Sequence, residues 1–584
     1  MRERRILRRA VSSTALEGLS GSLHPVLRRV YAARGVHQDQ DLDLGLGHLL
    51  PVTTLGGLPA AVELLVACHT HRSRVVVVGD FDADGATSTA LVVRQLRRLG
   101  FADPGYVVPD RFRFGYGLTP QIVHEAAKLR PQLLVTVDNG ISSLEGVREA
   151  ARLGIEVLIT DHHLPGAALP EAAAIVNPNL RGEAFASKAL AGVGVAFYVM
   201  AALTRAMIER GLVADPTGVN PADLLDLVAL GTVADVVPLD RNNRILVAQG
   251  IRRIRAGRCT PGLRALLESA GRRLEAAVEQ DLAFQAGPRL NAAGRLEDMR
   301  LGIECLLTGD GSEARQHASD LGRLNAERRE LEAQMQRDAI GQVDRLLETL
   351  SGELPAGLAI YDPDWHQGVV GLVASKVRER VHRPVIAFAP GEPGWIKGSA
   401  RSVPGVHVRD VLDAVATTHP ELLERFGGHA MAAGMTLRQD RFEDFRAAFA
   451  AEVASRIDPD ELTGELHTDG PLAAGELSLT TAHALRAGGP WGTGFPEPIF
   501  DGRFGVAESR IVGGRHLKLR LRAADGECVE GIAFRHVDDE RSTPVHTGAE
   551  VDLVYRMSLD DYGGRPRLQL VAEWVSPAGL TAPA

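Results

Sequence analysis

Short apolar runs separated by helix-length stretches set the first rhythm of the chain. Val75–Val78, Leu133–Val137 and Val157–Thr160 are bounded runs rich in branched aliphatic residues. Leu227–Val233 is a fourth, which reads either as a strand or as the end of a helix. Such runs alternating with helices predict βαβ units and a parallel sheet between about Arg74 and Asp240. Residues 250–350 lose this rhythm and read as mainly helical. Within them Ala314–Leu350 is dense in Glu, Arg, Leu and Ala and holds no Pro, which predicts one long helix acting as a spacer. A second α/β unit starts near Gly357, with strands at Leu358–Tyr361 and Val385–Ala389 around a helix at Val369–Val381, and ends near Arg456. Ile457–Glu461 reads as a linker. After it, Phe504–Val506, His516–Arg522, Val529–Phe534, Glu550–Tyr555 and Arg567–Trp574 alternate in polarity between Gly and Asp turns, the pattern of a small β-barrel. The uncharged run Ala189–Thr204 is short for a membrane span and reads as a buried helix entered through Gly192 and Gly194.

At about 150 residues per domain, 584 residues allow three to five domains. Apolar residues at 45 % and charged residues at 24 % exclude disorder, collagen and coiled coil as descriptions of the whole. A net charge of −9 means that any polyanion must be met by local basic patches. Four scattered cysteines without a CxxC argue against a disulfide framework or zinc cluster and fit a reducing cytosol. The Arg-rich start lacks a following apolar stretch, so no secretory signal is expected, and the reading is of a cytoplasmic protein without a membrane partner. No Lys follows a Gly, which removes the GxxxxGK[ST] phosphate loop.

The chemistry lies where the apolar runs stop. They lead into Asp80, Asp82 and Asp84, into Asp138, into Asp161, His162 and His163, and into Asp235. Parallel sheets bind ligands beyond the carboxyl ends of their strands. Each residue alone has an ordinary explanation as a turn, a cap or a core histidine. Together they place six Asp and two His in one crevice, where like charges repel unless a divalent cation intervenes. Carboxylate with imidazole suits Mn²⁺ or Mg²⁺, and two such ions support in-line displacement at phosphorus.

GDFDADGATS, TVDNG, TDHH and GTVADVVPL resemble the four motifs of the DHH phosphoesterase superfamily. With GPRLNAAGRL, WHQGVVGLVAS, KGSARS and GGHAMAAG, the chain more narrowly resembles the RecJ single-strand-specific DNA exonucleases. The resemblance implies an α/β multidomain protein. An N-terminal segment (1–50) precedes a parallel-sheet DHH catalytic domain (51–250) and a long helical connector (251–350). A smaller DHH-associated (DHHA1) α/β domain (351–457) and a C-terminal OB-like β-barrel (462–576) complete the chain. It implies two divalent ions held by Asp82, Asp84, Asp138, His162 and Asp235, with Asp138 bridging and Asp80 an extra ligand or an acceptor behind the ligands. His163 would polarise the phosphate, and Asp161 would orient its neighbours. Some relatives carry a His where Val78 stands here, so one ion would have fewer protein ligands.

The implied activity is 5′→3′ degradation of single-stranded DNA to 5′ mononucleotides in recombination and repair. A RecQ-type helicase and a single-stranded-DNA-binding protein are the expected partners. Alternatives are a DHH phosphodiesterase for short oligonucleotides or cyclic dinucleotides, and a degenerate relative that only binds nucleic acid. Candidate substrate contacts are Arg111 and Tyr116 on an Arg- and aromatic-rich loop, and Arg289, Asn291 and Arg295 in a stretch with little bulk, for which a plain turn is the alternative. Ser375, Lys397, Ser399, Arg401 and His429 are phosphate-binding types in the second α/β unit. Arg515, Lys518 and Arg520 are expected on a basic barrel face.

Overall fold

The computed structural model describes residues 5–109, 117–349, 354–457, 465–473, 475–534, 536–537, 545–560 and 566–578. They form two compact units, the larger holding Arg8–Asn325 and His467–Leu580 and the smaller built on Ala326–Leu466.

In the larger unit, β1 (Val75–Val78), β2 (Gly105–Val107), β3 (Leu133–Val137), β4 (Glu156–Thr160) and β5 (Ala174–Val176) form one sheet in the order β2–β1–β3–β4–β5. All neighbouring pairs are parallel. β1 and β3 are buried on both faces, which explains their continuous apolar sequences. Alternate residues feed two cores. Val75, Val77, Leu133 and Val135 enter one, and Val76, Val78 and Leu134 enter the other. After β1 the chain moves to β2 on one side, then returns to β3 on the other. That reversal opens a crevice between the carboxyl ends of β1 and β3.

Four helices frame the crevice: α1 (Ala83–Arg98), α2 (Gly192–Glu209), α3 (Leu225–Ala234) and α4 (Gly287–Leu296). The run Ala189–Thr204 supplies most of α2, which is largely buried. Two open readings are resolved here. Leu227–Val233 is not a strand but part of α3. Residues Leu225–Thr232 are all buried, so no exposed stripe reveals a helical period. Gly287–Arg295 is not a turn but α4, with Pro288 in the first turn, where its missing N–H leaves nothing unsatisfied. Gly294 allows α4 to approach the loop after β1 closely, since a Cβ there would lie 1.8 Å from the Phe81 carbonyl oxygen.

The helix α5 (Gly311–Thr349) runs for 39 residues, an axis of about 58 Å at 1.5 Å per residue. The smaller unit then builds β6 (Leu358–Tyr361), α6 (Val370–Val381), β7 (Val385–Pro390), β8 (Trp395–Arg401), β9 (Arg425–Gly428) and β10 (Ala432–Arg438). Its sheet runs β9–β10–β8–β7–β6, parallel only between β6 and β7, with an apolar cluster on each face. Of the expected linker, only Ile457 is among the described residues.

Back in the larger unit, β11 (Phe500–Val512), β12 (His516–Arg522), β13 (Cys528–Ala533), β14 (Glu550–Asp560) and β15 (Arg567–Pro577) close into a barrel. Leu517, Leu519 and Leu521 point into it, and Lys518, Arg520 and Arg522 alternate with them on the outer face.

The segment after the smaller unit is tied back to the N-terminal helix Pro25–Ala32. Arg34, just past that helix, meets Asp469 at 2.7 Å with both side chains 1 % exposed. Tyr31 donates its hydroxyl to the Gly488 carbonyl at 2.8 Å. Removing one partner of a buried pair strands the other charge. Asp469→Ala is therefore expected to destabilise the larger unit by about 3–5 kcal/mol, read as a lowered urea midpoint, and adding Arg34→Met should recover part of the loss.

Candidate metal centre

Backbone amides from their own or a neighbouring element hold the side chains of Asp80, Asp82 and Asp84. Asp80 accepts the Phe81 N–H at 2.7 Å. Asp82 caps α1, accepting from Gly85 N at 3.0 Å. Asp84, in the first turn of α1, accepts Gly192 N at 2.6 Å and Val193 N at 2.9 Å from the start of α2. Amides at a helix N-terminus carry partial positive charge, so they suit a buried carboxylate. Asp138 comes directly after β3 with φ +62°, a left-handed conformation that Asp tolerates. Asn139 donates to the carbonyls of Val78 at 3.1 Å and Val137 at 2.9 Å, joining the ends of β1 and β3. Asp235 is the C-cap of α3.

Asp161 acts as a clamp. It accepts Ile141 N at 2.9 Å, His162 N at 2.7 Å and His163 N at 3.1 Å, and its Oδ1 lies 2.7 Å from His163 Nδ1. Burial pushes its carboxyl up, but the His163 hydrogen bond and charge and these amides outweigh burial and keep it below the ordinary range. His163 shows the mirror image. Burial opposes its charge, while the bond and charge of Asp161, with Asp80 and Asp82 beyond, raise its pKa. An ionised Asp161 fixes the proton of His163 on Nδ1 in the neutral ring.

Among the described residues, ligand atoms converge within 4.8 Å in three sets: Asp80, Asp82 and Asp138; Asp84, His162 and Asp235; Asp138, His162 and His163. Asp138 and His162 each belong to two sets. His162 Nε2 lies 3.1 Å from Asp138 Oδ1 and 3.5 Å from Asp235 Oδ2. Burial, and then the charge of Asp82, push Asp84 up to about 7. Burial, and then Asp84 and Asp82, hold Asp138 and Asp235 well above the ordinary range. These carboxylates cannot all ionise together unless positive charge enters. The oxygen-rich set with imidazole and no thiolate fits hard divalent ions of the Mn²⁺ and Mg²⁺ class.

The remaining candidate residues are spread more widely. Asn291 lies on α4, and its Oδ1 accepts the Ala83 N–H at 2.8 Å, so it secures the acidic loop itself. Arg289 donates to the Gln285 carbonyl at 2.8 Å, and Arg295 lies in the last turn of α4. Lys397, Ser399 and Arg401 share one face of β8, with Arg401 donating to Ser399 Oγ at 2.9 Å. The first turn of α6 lies against that face, since a Cβ on Gly371 would sit 2.8 Å from Arg401 Nη2. Ser375 comes one turn later on α6, donating to the Gly371 carbonyl at 3.1 Å. His429 lies in the β9–β10 turn. On the barrel, Arg515 is in the β11–β12 turn. Lys518 lies 3.5 Å from Glu530, and Arg520 is in register with Glu530 and Glu508, so acids interrupt the basic face. Arg111 and Tyr116 lie outside the described residues.

Several supporting residues escaped the sequence reading. Asn177 and Asn179 donate to the carbonyls of His163 at 2.9 Å and His162 at 2.6 Å. Their signal is Asn-Pro-Asn directly after the apolar end of β5. Gly192 is another, since a Cβ there would lie 2.6 Å from the Asp138 side chain.

Comparison with known proteins agrees with this geometry. Residues 74–232 match the DHH family, N-terminal domain, 355–455 match the DHHA1 domain, and 468–573 match the RecJ OB domain. The chain is 53 % identical to the single-stranded-DNA-specific exonuclease RecJ of Dickeya dadantii, over 97 % of this chain and 98 % of that protein. It is 50 % identical to the Escherichia coli protein of that name, over 98 % of each. The crystal structure of RecJ in complex with Mn²⁺ from Thermus thermophilus superposes with a TM-score of 0.80 at 33 % identity, covering all of this chain and 81 % of that one. The Mg²⁺ complex from the same organism gives 0.75 at 31 % identity, covering all of this chain and 80 % of that one.

The crowded carboxylates have two measurable consequences. Without divalent metal, the folded chain binds more protons than the unfolded chain between the ordinary aspartate range and about 7, so stability falls as pH rises through that window. Melting in EDTA should therefore fall between about pH 5 and pH 8, and Mn²⁺ should shrink that fall while its binding releases protons. Gly192→Ala should lower Mn²⁺ affinity by about 10–100-fold in calorimetric titration, as loss of ligand support does.

Proposed function

This chain belongs to the RecJ family of single-stranded-DNA-specific exonucleases, and from that premise we infer that it degrades single-stranded DNA by metal-dependent phosphodiester hydrolysis. The observation that carries the reading is the convergence of Asp80, Asp82, Asp84, Asp138, His162 and Asp235 at the reversal of strand order. We assign these six to holding divalent ions, with Asp138 shared between two. Bound there, the ions would supply a nucleophile at neutral pH and neutralise charge at phosphorus.

The chain's own groups prepare the rest. Asp161 fixes the His163 ring, leaving Nε2 for a phosphate oxygen, and its charge favours the imidazolium that stabilises the charge developing there. Asn139 holds the two strand ends in place beneath the ions. Action from a free 5′ end, releasing 5′ mononucleotides, is assigned to the smaller unit. There Ser375, Lys397, Ser399 and Arg401 gather where a sheet face meets a helix start, and His429 adds an imidazole at the β9–β10 turn. The barrel's Arg515, Lys518 and Arg520 are assigned to the strand backbone. Such an enzyme works on cytoplasmic DNA in recombination and repair. A RecQ-type helicase would supply its single strands, and a single-stranded-DNA-binding protein would cover them.

The test compares wild type with Asp138→Ala on end-labelled substrates in Mn²⁺ and in Mg²⁺. The substrates are single-stranded DNA with a 5′ phosphate, the same strand blocked at 5′, the duplex, and a dinucleotide. Only the free-5′ single strand should be lost, and the variant should be slower by at least about a thousandfold, as when metal-ion catalysis is removed. Preference for the dinucleotide would move the activity to short substrates. Tight strand binding without cleavage would leave a binding protein.

A further inference from the structure

Beside the metal centre, within the larger unit, lies a pocket of about 390 Å³ that none of these roles uses. Val233, Ala234, Val236, Phe284, Trp491 and Pro496 line it. Its volume falls within the roughly 300–1,000 Å³ of small-ligand sites.

Two residues at this pocket are not explained by packing. Phe284 exposes 69 % of its surface and sits in the π-helical turn Leu282–Ala286, a rare feature that is frequent at functional sites. Val236 exposes 66 % and has φ +63°, a conformation that branched side chains avoid. Burial does not hold Val236 there, and Gly would adopt that backbone freely. An isopropyl group kept in solvent at such a position points to a contact made by the side chain.

Position says what that contact is. Val236 comes directly after Asp235, and the last turn of α3 forms the adjoining wall, so the pocket is lined by the residues on either side of one ion-holding carboxylate. Its inner side is rigid. Trp491 stacks on Phe495 with ring centroids 5.2 Å apart and planes 9° apart. The Trp491 indole N–H donates to the Leu485 carbonyl at 3.0 Å and its backbone N–H donates to Glu279 at 3.0 Å. Val236, Phe284 and Trp491 give the pocket an apolar and aromatic wall, and Glu279, Gln280, Glu497 and Arg556 give it a polar one. The bases of a single strand present free π faces, whereas those of a duplex are paired and stacked away.

We propose that this pocket receives one unstacked base of the DNA strand, held against Phe284 and Val236, and thereby helps to select single strands over duplex. The proposal rests on the exonuclease reading and adds a subsite to it.

The experiment uses the full chain with Phe284→Ala and Val236→Gly as separate variants, the latter relieving backbone strain and so safeguarding the fold. A 5′-phosphorylated oligothymidylate carries a single abasic site, moved one nucleotide at a time from the 5′ end. In wild type, one position should lower kcat/KM by about tenfold, the size expected for a lost stacking contact. In either variant, that same abasic site should bring little further loss, because residue and base act through one contact. A second readout needs no catalysis. In EDTA, 2-aminopurine at that position should be quenched on binding wild type and not on binding Phe284→Ala. Equal abasic penalties in wild type and variants, or quenching that survives Phe284→Ala, would overturn the proposal and leave the pocket to another occupant, such as an apolar peptide. If wild type cut no single strand, the exonuclease reading would fall, and the quenching assay would still decide the pocket.

Discussion

Repulsion among Asp80, Asp82, Asp84, Asp138 and Asp235 is the condition under which the larger unit must fold. Buried carboxylates a few ångströms apart oppose the compact state, so each needs an anchor elsewhere. The anchors come from different elements. The amides at the start of α2 take Asp84, the first turn of α1 takes Asp82, and α4 holds the acidic loop through Asn291. β1 and β3 cannot separate without breaking the Asn139 bonds to both strand ends. The scaffold is thus organised to keep apart from solvent a set of charges that only a cation can satisfy. Folding and ion binding are then two sides of one equilibrium.

Much of this was legible in the sequence because the parallel strands are buried on both faces. Their continuous runs at Val75–Val78 and Leu133–Val137 locate themselves, and the residues immediately after each run must lie at the sheet's carboxyl edge. Barrel strand β12 was legible for the opposite reason, since His516–Arg522 alternates residue by residue. Legibility failed where burial removed the pattern. α3 is buried on every side from Leu225 to Thr232, so Leu227–Val233 carries no period that separates helix from strand. It also failed where function depends on what a residue touches across the fold. Asn291 reads as a phosphate ligand by type, yet its oxygen meets Ala83 N, 208 positions away. Nothing local announces such a partner, nor that Gly192 must lack a Cβ to clear Asp138.

The two sheets solve different problems. In the larger unit, every neighbouring strand pair of the sheet is parallel, and their aligned ends concentrate chemistry at one edge. In the smaller unit, β8 lies between β7 and β10, antiparallel to both, and gathers its polar side chains on one face. Alternation sends Ile396 and Ala400 into the core and leaves Lys397, Ser399 and Arg401 together on the other side.

The larger unit is also discontinuous in the chain. Its halves, Arg8–Asn325 and His467–Leu580, are joined by contacts such as Arg34 with Asp469, which are 435 positions apart. On a ribosome adding about 5–20 residues per second, Arg34 waits about 20–90 s for its partner. Through that interval the acidic crevice has been synthesised while the pairs that tie down the N-terminal helix are absent. The N-terminal helix is therefore tied down last, after the inserted smaller unit has left the ribosome.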